Sequence, residues 1–127
     1  MSKEILMIII VTTVIILLEM MTSYYTSMAM DTMSETLGTL KEELLKKDKM
    51  TVEESMRKVE EKWDQTSNTL ACYIEHDELE KVETQIATLK GKIEVNEYEQ
   101  SIENIDTMIF ILQHIEAKEK FSLQSLL

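Results

Sequence analysis

Polar and apolar residues are arranged along this chain in two different ways. From Ile5 to Leu18 fourteen residues carry no charge, and beyond the lone carboxylate of Glu19 a further eleven uncharged residues run from Met20 to Met30. Apolar residues then recur every three or four positions, at Met33, Leu37, Leu40 and Leu44, which is the spacing of one face of a helix. The rhythm breaks at "KKDKMT", where Thr51 and Glu54 have the spacing of a capping box. Val52, Met56, Val59, Trp63, Thr66, Leu70 and Tyr73 form the next stripe, about six turns long. At "YIEHDELE" the phase slips, and Asp77 with Glu80 gives a second capping pattern. Leu79, Val82, Ile86, Leu89 and Ile93 make the third stripe, which closes near Asn96, where Asn96 and Glu99 repeat the capping pattern. Tyr98, Ile102, Ile105, Ile109 and Leu112 make the fourth.

The expected architecture is all-α: an N-terminal single transmembrane helix extending into a small antiparallel helical-hairpin bundle. The predicted division is a transmembrane anchor over 1–30 and an acidic helical domain over 31–127. Helices are expected at about 31–46, 51–75, 78–94 and 97–116, followed by a tail over 117–127. A weak internal repeat accompanies this plan, since "LGTLKEEL" (37–44) is similar to "IATLKGKI" (86–93).

The apolar N-terminus has three readings. A cleaved secretory signal calls for a basic start and a small-residue cleavage site, whereas the start is "MSKE" and the small residues of "SMAM" are separated by methionines. A buried soluble helix fits the run of fourteen. Counted through Glu19 to Tyr25, however, the stretch has 21 residues, about the length that crosses a ~30 Å hydrocarbon layer. An uncleaved anchor in the cell membrane is the reading adopted. Lys3 lies before the span and Asp31 and Glu35 after it, a difference that favours a cytoplasmic N-terminus with the domain outside.

Glu19 is the anomaly in this stretch. With Tyr24 and Tyr25 taken as the aromatic belt, it lies about 8 Å below the interface. One explanation is a carboxylate that snorkels or is protonated; the other is a partner helix met by Glu19 together with Thr22 and Ser23. A second unpartnered surface is "MIFIL" at 108–112, where Phe110 and Ile111 point away from the fourth stripe. Either the tail, with Phe121, Leu123, Leu126 and Leu127, folds back over them, or a partner does.

Composition narrows the function classes. The formal net charge is −11, and nearly all of it belongs to residues 31–127, so nucleic acid is not an expected partner. Two glycines and no proline favour helices over a turn-rich sheet fold. Cys72 is alone and cannot form an internal disulfide. His76 sits among Glu75, Asp77, Glu78 and Glu80, but His76 and Glu80 supply only two ligands on one face, too few for a metal. No Ser/His/Asp arrangement, phosphate-cradling glycine loop or CxxC occurs in the sequence. No catalytic, cofactor-binding or metal-binding residue is therefore assigned, and an enzyme is not expected.

Trp63 within "KWDQTSNTLACYIEHDELEKVETQIATLKGKI", the His76-Asp77-Glu78 turn, "LQHI" at 112–115 and the closing "SLQSLL" together resemble the small bacterial proteins of domain-of-unknown-function family 4363. The chain departs from that pattern at Met50, where the family often has an aromatic residue, and at Gln124 or Ser125, where it often has asparagine. The resemblance implies membrane attachment in Gram-positive bacteria without an established activity, and a multi-span membrane protein of the YetF type as the natural partner. Two functions are expected to compete. One is a non-enzymatic accessory or adaptor subunit of a larger membrane protein complex, binding through Glu19, Thr22, Ser23, Phe110 and Ile111. The other is a self-assembling, coiled-coil-like homo-oligomer paired through the long second stripe.

Overall fold

In the computed structural model, which describes residues 2–127, the chain forms four helices: α1 (Lys3–Lys46), α2 (Lys49–Leu70), α3 (His76–Glu94) and α4 (Tyr98–Leu126). α1 has 44 residues and is about 66 Å long at 1.5 Å per residue. Short turns at 47–48, 71–75 and 95–97 reverse the chain each time, so the helices run up, down, up and down. α1 packs against α2 and α4, and α3 packs against α4 and more lightly against α2. The stripes expected from the sequence meet in one core, with Leu40 of α1, Val59 of α2, Leu89 of α3 and Met108 of α4 all fully buried. Each such side chain contributes about 1.5–3 kcal/mol relative to exposure.

The first helix serves two environments. From Ile5 to Met21 every residue is exposed except Ile16 and Glu19, which are half-buried. From Ser23 onward Ser23, Thr26, Met30, Met33, Leu37, Leu40 and Leu44 are buried, stepping by three and four along one face, with Ala29 buried beside Met30. The N-terminal part of α1 is long and apolar enough to cross a membrane, and none of its residues is fully buried by the rest of the molecule. The bundle thus begins at Ser23, inside the stretch expected to be anchor, because the stripe that starts visibly at Met33 is already running in the small polar residues before it.

Three local expectations are corrected. α2 is capped by Asp48, whose carboxylate accepts from the Met50 N–H at 3.2 Å; Thr51 lies inside the helix. α3 and α4 start at Glu75 and Glu97 without a side-chain cap. Asn96 has a φ of 62°, so it closes α3 in the left-handed conformation that asparagine tolerates, and does not open α4. The first turn closes in the same way: Lys47 at φ 58° donates its N–H to Glu43 and Leu44 carbonyls.

The tail does not fold back. Neither glycine nor proline interrupts the sequence after Gly91, and α4 runs on to Leu126, leaving Phe110 exposed. The buried face of α4 is also rotated from the expected one: Ser101, Ile105, Met108, Leu112 and Ile115 are buried, while Ile102, Ile109 and Ile111 are partly buried along the flanks. At 100° per residue Phe110 then lies about opposite the core, and Ile109 and Ile111 roughly 80° to either side of it.

Candidate functional site

At the end of the bundle where α1 emerges, polar side chains replace the hydrophobic core. Extending the 3–4 rhythm of α1 backwards from Met30 through Thr26 and Ser23 arrives at Glu19. On α4 the same rhythm, Ile105, Met108, Leu112 and Ile115, continues to Glu119. Both acids occupy core-facing positions of antiparallel helices, so each helix turns its carboxylate toward the other. Burial pushes the Glu119 carboxyl above its ordinary value, and the charge of Glu19 pushes it the same way, against a smaller downward pull from a hydrogen bond with Thr22. Glu19 Oε1 is buried and, among the described residues, has no hydrogen-bond partner. The partly desolvated place and the nearby acid both disfavour the charged form of Glu119.

Tyr73, from the turn after α2, closes the site. Its hydroxyl lies 2.7 Å from Thr26 Oγ1 and donates to the Thr22 carbonyl at 3.2 Å. Burial raises its pKa, which outweighs the hydrogen bond from Thr26, so the phenol stays a neutral hydrogen-bonding group. One turn further into the bundle, Ser27 Oγ donates to Glu116 at 3.0 Å, and Lys120 pairs with the same carboxylate at 2.9 Å. Burial pushes Glu116 up, but hydrogen bonds from Lys120 and Ser27 more than offset it and its pKa falls below the ordinary range. Within one turn α4 thus holds one acid, Glu116, that gains from ionisation and one, Glu119, that does not.

The structure brings Glu19 and Thr22 together in this site. Thr22 Oγ1 donates to the Glu19 carbonyl at 3.0 Å. Ser23 is buried between Glu19 and Ser27, whose counterparts Glu119 and Glu116 belong to α4, so α4 of the same molecule faces this surface of α1. Phe110 and Ile111 lie far along α4 in a separate place, a shallow groove of about 300 Å³ between α3 and α4 that is also lined by Glu78, Lys81 and His114. Phe110 is 70% exposed there. His76 is exposed, with Glu80 at 4.0 Å, and among the described residues no three His, Cys, Asp or Glu side chains come together as a metal site.

The sequence reading missed Thr26, Tyr73 and Glu119. The signal for Thr26 and Glu119 was the stripe itself, followed one more turn through polar residues. It also missed a partly buried bridge between α3 and α4, in which Asn104 donates to Gln85 at 2.9 Å and accepts from Lys92 at 2.6 Å; a lone asparagine one position off an apolar stripe gives no such signal.

Comparison with curated proteins returns no match, and comparison with solved structures returns none. The family described as Domain of unknown function (DUF4363) matches residues 20–126, a range that starts beside Glu19 and takes in the whole bundle. The chain therefore belongs to the DUF4363 family.

Proposed function

We propose that this protein is a single-pass membrane protein whose acidic bundle acts as a non-enzymatic accessory or adaptor subunit of a larger membrane protein complex. The observation that carries the reading is the bare apolar segment Ile5–Met21, continuous with α1 and uncovered on every face except at Ile16 and Glu19. Its 17 residues extend about 25 Å, at the short end of what spans a hydrocarbon layer. Exposed to water, so much contiguous apolar surface would drive aggregation; in a bilayer it is matched to its solvent.

Retention of the segment is supported by the continuity of α1. Ser23 and Thr26 are already packed in the bundle, which leaves no extended stretch between the apolar run and the folded part for a signal-processing enzyme to grip. The adaptor reading is supported over self-assembly because the long stripe of α2, Val52, Met56, Val59 and Trp63, is consumed inside its own bundle. Phe110 with its groove remains as an apolar surface for a partner, a multi-span membrane protein of the YetF type by the family resemblance.

The sole cysteine provides the test, because Cys72 is exposed. In intact cells the full chain should stay in the alkali-washed membrane pellet, and Cys72 should react with a membrane-impermeant maleimide, as the cytoplasmic N-terminus requires. Release by the alkali wash contradicts the anchor; retention with an unreactive Cys72 that labels only after lysis reverses the orientation. A photo-crosslinker at position 110 should join the chain to a larger membrane protein. Crosslinking to a second copy instead would favour self-assembly.

A further inference from the structure

The end of α4 lies beside the apolar segment; Ser122, at its start, still lines a hollow with Tyr73 and Glu75 from the turn after α2, and the residues beyond it follow α1. α4 runs antiparallel to α1, and the register is fixed by three contacts: Lys41 to Asp106 at 2.9 Å, Ser27 to Glu116 at 3.0 Å, and Thr22 with Glu19 beside Glu119. Helix α4 continues to Leu126, seven residues past Glu119, or about 10 Å further along α1. One turn beyond the two acids, Ile16 on α1 and Leu123 on α4 are both half-buried while their immediate neighbours are exposed. The last two turns of α4 therefore stand at the level of α1 residues that belong to the span.

Their chemistry changes at the same level. Glu116, Lys118, Glu119 and Lys120 form a charged turn, after which residues 121–127 carry no charged side chain. Phe121 is 69% exposed, Leu126 45% and Leu127 76%. Lys118 reaches sideways to Glu78 at 3.2 Å, and Lys120 back to Glu116, so the cations at this boundary point toward the bundle and its water. Charged groups cannot follow α1 far into hydrocarbon, which puts the membrane surface near the Glu19 and Glu119 level.

We propose that Phe121–Leu126 is a second membrane contact: the end of α4 dips into the headgroup and upper acyl region of the leaflet nearer the bundle, flank to flank with α1. This rests on the reading of α1 as a span. The geometry then leaves the α4 end no other level to occupy, and the six residues extend about 9 Å, the depth to which amphipathic helices enter an interface. The bundle is consequently held upright by two feet, one spanning and one interfacial, and cannot swivel freely about a single tether.

The test uses the full chain in phosphatidylcholine vesicles, with Cys72→Ser and one new cysteine carrying an environment-sensitive nitrobenzoxadiazole dye, at Phe121→Cys, Ile10→Cys or Gln100→Cys. The last is exposed at the far end of the bundle. Dye at 10 should be quenched by lipids with a nitroxide deep in the acyl chain. Dye at 121 should lose intensity to nitroxides at the headgroup and upper chain and be shielded from aqueous iodide, while dye at 100 is quenched by iodide alone. If 10 is quenched by lipid but 121 behaves like 100, the inference fails and the span stands. If 121 is shielded from iodide yet untouched by nitroxide lipids, protein covers it and the inference fails. If 10 itself is open to iodide, the span reading fails and the inference with it. Because Phe121 is exposed, its replacement should leave the thermal transition of the bundle unchanged; a lowered transition would show a packing role and count against a lipid-facing one.

Discussion

The two halves of α1 have similar hydrophobic residues and opposite surroundings. Ile5–Leu18 is uncharged on every side and exposed except at Ile16, whereas Ser23–Leu44 is apolar on one stripe and buried along it. What separates them is periodicity, not hydrophobicity: a helix that meets lipid all round has no reason to alternate, and one that meets protein on one face must. Glu19 stands where the two regimes meet. It lies at the edge of the exposed apolar half, and it faces inward because it is the first position of the protein-facing stripe.

The sharpest way to break this comparison is to make the same truncation in each half. Leu40→Ala, at a fully buried position, should lower the stability of the bundle by about 2–5 kcal/mol, seen as an earlier thermal transition by circular dichroism in micelles. Leu6→Ala, at an exposed position, should leave that transition where it is. Equal losses at both positions would mean that residues 5–18 pack against the bundle after all.

Smaller effects sharpen the boundary. Tyr73→Phe removes the hydroxyl that contacts Thr26 Oγ1 and the Thr22 carbonyl and should cost about 1 kcal/mol in denaturant unfolding. A Tyr73→Phe variant as stable as the parent would mean that these bonds are open to water. Next comes Glu119→Gln. The folded Glu119 carboxyl holds its proton more tightly than the ordinary 4.5, through burial and then the charge of Glu19, so the folded state binds more protons and loses stability as pH rises from about that value through the raised one. The glutamine variant lacks this loss. It should match the parent below pH 4.5 and be more stable than it at neutral pH. The smallest effect belongs to Lys41→Ala, which removes an exposed ion pair with Asp106; a change of at most about 0.5 kcal/mol is expected, and it should vanish in high salt.

Much of the fold was legible in the sequence because it depends on spacing alone. The breaks near 47 and 96 and the stripes of α2 and α3 follow from where apolar residues recur; the break expected near 76 falls earlier, because α2 ends at Leu70 and Tyr73, read as part of its stripe, lies in the turn. Starts of helices were less legible: Asp48, Glu75 and Glu97 each precede a helix, yet capping patterns three residues apart occur by chance wherever Thr, Asp, Asn and Glu are common. The face of α4 was misjudged because isoleucines at 102, 105 and 109 suggest one stripe while Ser101 and Met108 belong to the buried one. The candidate site was half legible. Glu19 was conspicuous as a charge in an apolar run, but its neighbour is 100 residues away, and nothing local says that Glu119 differs from the solvated acids around it.

Spin labels placed singly from residue 5 to residue 30 of the full chain in bilayers, with Cys72→Ser as background, test the central claim most directly. The account predicts that residues 5–18 collide with lipid-soluble oxygen on all faces except around Ile16, and that from Glu19 onward immobile, protected sites recur in steps of four and three at 19, 23, 26 and 30. Collisions with a water-soluble relaxant throughout 5–18, or lipid exposure continuing through Met30 without that recurrence, would contradict it.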